Sequence, residues 1–437
     1  MSRQRLTAVV IAAMAVSVLV AYAVTWITVS QSHIGGSDFT STYVGGTLLR
    51  EGHGAGVYDQ ALQAPLHAAL IAPAPGGNLA FVNPPPAAVL ALPLTLLPLT
   101  AAYRVFQVAQ LLMLALAVVI VARTAPWPRS LPRRYLPVVA GLVAVAGEGT
   151  LAVGLLGQWD GLGALGLAGA YALWRRDSRF AGGAVLAISA SIAKPHLALG
   201  LAALLIGWRE RRVLAGAAAG VAGMLVVSLA AVGPAGLSAF VASTQVDASR
   251  WPLASMLGFT GLFGSWLGDG LATQILAAAC TAAAIAGCVL LGRRLARDRA
   301  ALEPCLAAAT LLSLLASPHL LTHDLVLLAP ALVALLAWAS VRDRAIPWPG
   351  PRSRTVLAGW LVLCLAAAID LGSQTAAPPG RVVPLVLLGL AGALIWQLRS
   401  DHAEQIPATS AAGPKPPRRV QTVRRGSPAA PATRQAS

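Results

Sequence analysis

The sequence predicts an all-α, polytopic membrane protein of about 12 transmembrane helices. Three observations predict it. Only 11% of the residues are charged, less than half of the roughly 25% usual in soluble domains. Hydrophobic residues make up 57% of the chain, and the mean hydropathy is +0.71. Apolar runs also recur along the whole of the 437 residues, with arginines gathered in short clusters between them.

The basic excess, 32 Lys and Arg against 16 Asp and Glu, would suit a nucleic-acid partner if it formed a stripe. Clusters between apolar runs are instead the orienting charge of a membrane protein, so no nucleic acid is expected. Lys194 and Lys415 are the only lysines. Arginine in place of lysine, with abundant Ala, Gly and Pro, points to a GC-rich bacterial genome and hence to the inner (cell) membrane. Cys280, Cys288, Cys305 and Cys364 all lie inside apolar runs. With no C-x-x-C pair they read as small hydrophobes.

The first span follows Ser2-Arg3-Gln4-Arg5 and runs from Leu6 to Val29. It outlasts the ~7–15 residues of a signal-peptide core and continues past Ala21-Tyr22-Ala23, so it reads as an uncleaved anchor. The later spans are 101–122, 136–153, 158–174, 180–192, 196–208, 213–233, 271–292, 302–317, 322–341, 355–372 and 382–398. Segment 85–99 is framed by Pro84-Pro85-Pro86 and broken by Pro93 and Pro98, too short to cross, and reads as re-entrant or interfacial. The pair 180–192 and 196–208 reads as two half-length helices meeting at Lys194-Pro195, one kinked helix being the alternative.

With both termini cytoplasmic, the arginine clusters from Arg123 to Arg399 fall inside, and only Arg50, Arg104, Arg250 and Arg381 fall outside. That is the asymmetry the positive-inside rule demands. Residues 1–399 thus form one multi-spanning domain with a large first extracytoplasmic loop, 30–84, and a second outer loop, 234–270. Residues 400–437, rich in Pro, Ala, Ser and Arg, read as a disordered basic cytoplasmic tail that either meets anionic lipid or is merely solvated.

This topology gathers the unusual polar residues at the outer face. Six of the seven histidines lie there, with Asp38, Glu148, Asp160 and Lys194. Ionisable groups against apolar helices are costly and tend to mark function. Asp38, directly after the first span in Gly36-Ser37-Asp38-Phe39, fits a general base or an N-cap of the helix that follows. In Gly157-Gln158-Trp159-Asp160, Gln158 fits a sugar or phosphate ligand beside a headgroup-level Trp159, or the set is an aromatic anchor with a capping Asp160. Lys194, in Ala193-Lys194-Pro195-His196, wants an anion. That anion is a lipid phosphate, or an internal partner such as Glu148 or Asp160, or the side chain snorkels to the headgroups. His319 and His323 stand at i, i+4 around Ser317-Pro318-His319 and His323-Asp324. No third ligand pattern accompanies them, so no metal is expected.

In order and spacing these motifs resemble glycosyltransferase family 87, a membrane family of the GT-C superfamily that uses polyprenyl-phosphate sugars. The resemblance is carried by Asp38, Tyr43-Val44-Gly45-Gly46, Gly56-Val57-Tyr58-Asp59, Phe81-Val82-Asn83-Pro84-Pro85-Pro86 with Leu92-Pro93, Gly157-Gln158, Ala181-Gly182-Gly183 leading to Lys194-Pro195, and Ser317-Pro318-His319. It implies a GT-C-like fold and inverting transfer of a sugar, mannose by family default, from a polyprenyl-phosphate donor to a glycolipid or glycan acceptor outside the cytoplasm. Asp38 matches the family's base, and Lys194 with His319 or His323 matches positions for the donor phosphate. Gln158, Asp160 and His196 complete the expected substrate-binding set. One departure is Trp159, where a small polar residue often follows the Gly-Gln pair.

No paired acidic motif for a nucleotide sugar and metal is present, and no cofactor is expected. A transporter or flippase is the competing class. It would place its binding groups at the bilayer midplane in repeated halves, whereas no repeat is evident and the ionisable groups gather at one surface. The orientation is testable directly. A reporter fused after Arg399 should read cytoplasmic, and one inserted at Gly76 should read extracytoplasmic; the opposite pair of signals would move the whole polar set to the other side.

Overall fold

The computed structural model describes residues 3–72, 79–128, 135–248, 252–343, 348–372 and 379–405. Their regular structure is helical, with no strand among the described residues. The order is α1 (Arg3–Ile27), α2 (Gln31–Gly35), α3 (Asp38–Arg50), α4 (Gln60–Ile71), α5 (Pro85–Ala91), α6 (Leu99–Thr124), α7 (Leu136–Val145), α8 (Glu148–Leu156) and α9 (Asp160–Arg175). Then follow α10 (Arg179–Ile192), α11 (Leu199–Trp208), α12 (Arg211–Ala248), α13 (Phe259–Leu267), α14 (Leu271–Arg297), α15 (Leu302–Ala316), α16 (Leu328–Arg342), α17 (Pro351–Gly372) and α18 (Val383–Gln405).

Among the described residues, seven helices are long and apolar enough to cross a membrane, or eight if the bent pair α7–α8 is one span. The expected dozen is therefore not reached by length and composition, because 179–192, 195–208 and 383–399 are short apolar helices. Segment 85–99 is short, as its prolines predict: α5 ends at Ala91 and a 3-10 turn, Leu92–Leu96, follows. The pair around Lys194 is two helices, since α10 stops at Ile192 and Pro195 opens a separate 3-10 turn, Pro195–Ala198.

One expected span is broken, and both expected outer loops hold helices. The continuous run 136–153 breaks by 53° between α7 and α8. Gly147 is extended there, and a Cβ on it would lie 2.6 Å from the Trp360 ring, so the break lets α17 pack into the bend. The expected first loop holds α3, whose residues Phe39–Leu48 are all buried. Its hydroxyls find backbone acceptors, Thr40 in Ile34 (2.8 Å) and Thr47 in Tyr43 (2.9 Å), which is what allows so polar a helix inside. Gly45 presses so close to Phe81 that a Cβ would be 2.7 Å from its ring, and Gly46 meets Ala91 of α5 in the same way. The expected second loop is also largely helical. α12 continues to Ala248 through a single non-helical residue, Gly233 (φ 67°), after which Pro234 restarts the helix. Helix α18 runs to Gln405, and the rest of the expected tail, 406–437, lies outside the described residues.

Packing between helices depends on small residues, because lipid-facing helices gain little from apolar burial alone and approach through backbone contact. α10 and α12 meet through Gly183 and Gly216. A Cβ on Gly183 would stand 2.1 Å from the Val213 carbonyl, and one on Gly216 1.9 Å from that of Phe180. α11 and α14 repeat the arrangement at Gly207 and Gly292, where a Cβ on either would stand 2.1 Å from a facing carbonyl. α15 is buried along its whole length, whereas α1 turns Val9, Val10, Met14 and Val20 outward.

The crossing makes a prediction. Gly183→Val should lower stability by about 1–3 kcal/mol, the usual cost of overpacking, seen as a reduced melting temperature in detergent. Gly392→Ala, where nothing lies within 4 Å, should leave the melting temperature within error of the parent.

Candidate functional site

Asp38 is the first residue of α3, and Ser37, not Asp38, holds the N-cap position. The capping alternative is thus displaced by one residue. Asp38 is half-buried, and its Oδ2 accepts a hydrogen bond from Gln158 Nε2 at 2.5 Å. This contact joins two motifs 120 residues apart.

Gly157 explains how Gln158 reaches it. The helix α8 ends on Gly157 in the left-handed region (φ 75°), which a side chain disfavours. A Cβ there would lie 2.5 Å from Phe39 Cβ. Only glycine permits both the turn and the close approach to α3, and the next residue is then delivered to Asp38. The amide N–H donates to the carboxylate and so fixes its orientation.

Trp159 faces the protein interior. It is 3% exposed, edge-on to Phe106 with ring centroids 4.9 Å apart. Trp159 belongs to the apolar cluster that also holds Phe39, Tyr43, Phe81 and Tyr103. Trp159 itself occupies the N-cap position of α9, and Asp160 begins the helix.

Asp160 is 1% exposed and meets Lys194, whose Nζ lies 3.4 Å from Asp160 Oδ2 and 2.5 Å from Asp324 Oδ1. The internal pairing that the sequence allowed for Lys194 is realised with Asp160 and extended to Asp324, while Glu148 is elsewhere, bonded to Tyr22 at 3.1 Å. Asp324 is fully buried in the 3-10 turn Thr322–Leu327 before α16, and its Oδ2 accepts from the Leu321 N–H at 2.7 Å. The sequence offers Asp324 only as the neighbour of His323; that adjacency was the one signal available for it. His323 is 1% exposed, with Nε2 3.5 Å from Asp324 Oδ1. His196 and His319 face each other nearly perpendicularly, with ring centroids 6.5 Å apart.

Asp38, Gln158, Asp160, Lys194, His196, His319 and His323 are therefore linked, through direct contacts or as chain neighbours, into one cluster. A small cavity opens from it between α9, α10, α11 and α15. Asp160 and Lys194 line its polar end, and Leu167, Leu186, Leu201 and Leu327 line its apolar wall. Such an arrangement offers a carboxylate base, a buried ammonium and an apolar recess within one site.

Comparison with known proteins returns one family. Residues 81–318, more than half of the chain, match the model of glycosyltransferase family 87. No curated protein and no solved structure matches the chain.

The turn at Gly157 makes the next prediction. Gly157→Ala adds strain at a positive φ and a clash with Phe39, so it should separate Gln158 from Asp38. We expect activity to fall at least as far in Gly157→Ala as in Gln158→Ala, in protein that still elutes as a folded species. Full activity in Gly157→Ala would show that the Asp38–Gln158 contact is dispensable.

Proposed function

The chain belongs to glycosyltransferase family 87, and from that membership and the geometry of the cluster we propose that it transfers a sugar, mannose first among the candidates, from a polyprenyl-phosphate donor to a glycolipid or glycan acceptor on the extracytoplasmic face of the bacterial inner membrane. The observation that carries the residue assignment is the hydrogen bond from Gln158 to Asp38.

In this reading Asp38 takes the proton of the acceptor hydroxyl. The oxygen attacks the anomeric carbon from the face opposite the phosphate, the bond from that carbon to the phosphate oxygen breaks, and polyprenyl phosphate leaves. The configuration inverts. Gln158 orients Asp38. An ammonium has three N–H donors, and Lys194 gives two of them to Asp324 and Asp160. The third is assigned to the leaving phosphate, with His196, His319 and His323 as further polar contacts for the phosphate or sugar. Electrostatic stabilisation of this kind is strongest where water is excluded, and Lys194 is only 10% exposed. The arginine asymmetry of the sequence supports the outward placement, and both termini are then cytoplasmic. A transporter would have needed binding groups on repeated, broken helices, and the family membership favours the enzyme.

The decisive variant is Asp38→Asn. It keeps shape and hydrogen bonding but removes the proton acceptor, so turnover should fall by roughly 10²–10⁴ with donor binding near normal. The assay needs purified protein, a short polyprenyl-phosphate sugar and a candidate acceptor. Wild-type turnover in Asp38→Asn would end the assignment.

A further inference from the structure

Two buried carboxylates and one buried imidazole meet around Lys194. Asp160, His323 and Asp324 are all buried, and one ligand atom from each lies within 4.8 Å of the others. Neither ring nitrogen of His323 has a hydrogen-bond partner among the described residues, nor does Asp160 Oδ1. His323 Nε2 lies 3.5 Å from the same Asp324 oxygen that Lys194 holds. Oxygen and imidazole donors in that number are a set that divalent transition metals accept. The space between the carboxylates is nevertheless taken, because Lys194 Nζ stands 2.5 Å from Asp324 Oδ1 and 3.4 Å from Asp160 Oδ2.

We propose that Lys194 is the resident cation of a metal-type site: its ammonium holds the position of a divalent ion between Asp160 and Asp324, so that transfer runs without a metal and removal of the ammonium opens the site to one. The physical reason is mutual exclusion. A divalent ion bound to the same oxygens would sit within a few ångström of the ammonium, where like charges in a dry interior repel strongly. A lysine tethered to the chain is always present, whereas an ion must be captured from solution. The two carboxylates fix the ammonium in place. Its catalytic meaning, a fixed positive charge beside the leaving phosphate, rests on the proposed function; its occupancy of the site does not.

The test is a titration of the purified full-length protein with MnCl₂ after dialysis against chelator, free Mn²⁺ being read by electron paramagnetic resonance. Wild type should show no saturable binding up to about 1 mM, the range of weak adventitious contacts. Lys194→Met, neutral and of similar length, should bind one Mn²⁺ per chain at least about tenfold more tightly, and the added change Asp324→Asn should abolish that binding. A stoichiometric Mn²⁺ site in wild type that Asp324→Asn removes would overturn the proposal. So would a folded Lys194→Met that binds none. Should Lys194→Met fail to fold, the wild-type arm still decides, since chelated wild type should keep its full transfer rate and a rate restored only by Mn²⁺ contradicts the proposal. The Mn²⁺ titrations are read without turnover, so their failure and a failure of the glycosyl-transfer reading remain distinguishable.

Discussion

An ammonium buried between two carboxylates is the constraint on which the rest of this site depends. Lys194 is the only lysine before the C-terminal segment, and its side chain is only 10% exposed between apolar helices. A charge in such surroundings is tolerated only when paired and hydrogen-bonded. Its partners come from different parts of the chain, Asp160 from the start of α9 and Asp324 from the turn before α16. Satisfying one charge therefore fixes three chain segments relative to one another. Those segments carry Gln158, His196 and His323 with them, so the polar residues converge as a consequence of one electrostatic requirement.

Small residues make that convergence sterically possible. Gly157 lets the chain turn against Phe39 and present Gln158 to Asp38, and Gly161 of α9 passes so close to α6 that a Cβ would be 2.2 Å from the Gln110 carbonyl. Glycines at the α10–α12 and α11–α14 crossings draw in the helices on either side of the Lys194 turn. Most helices begin without a side-chain cap, as at α3, α9 and α11. Tertiary packing, rather than local propensity, holds their ends in place.

Much of this was legible in the sequence because a bilayer imposes simple rules. Long apolar runs and arginine clusters mark helices such as α1, α6, α14 and α16 to within a few residues, and prolines mark the stop at 85–99. The residues proposed for the site were legible as rare ionisable groups beside apolar runs. Pairings were not. Lys194 and Asp324 are 130 residues apart, and no local pattern says which of several carboxylates will reach the ammonium. The break before Glu148 was hidden because a single glycine in an apolar run looks like ordinary helix. The burial of α3 was hidden for the opposite reason: Thr40, Ser41 and Thr47 look like surface polarity, and sit in the core because their hydroxyls donate to the backbone carbonyls of Ile34, Asp38 and Tyr43. Trp159 misled because an aromatic beside a span end is usually interfacial, whereas here an aromatic cluster encloses it.

The central claim is that Lys194, Asp160 and Asp324 act as one buried electrostatic unit. A double-mutant cycle on unfolding free energy tests it most directly, using Lys194→Met, Asp324→Leu and the pair together. Removing one partner leaves an uncompensated buried charge and should cost about 3–5 kcal/mol. The double variant should be no less stable than the worse single variant, giving a large coupling energy. Additive losses in the double variant would show that Lys194 and Asp324 are held independently and would contradict the account.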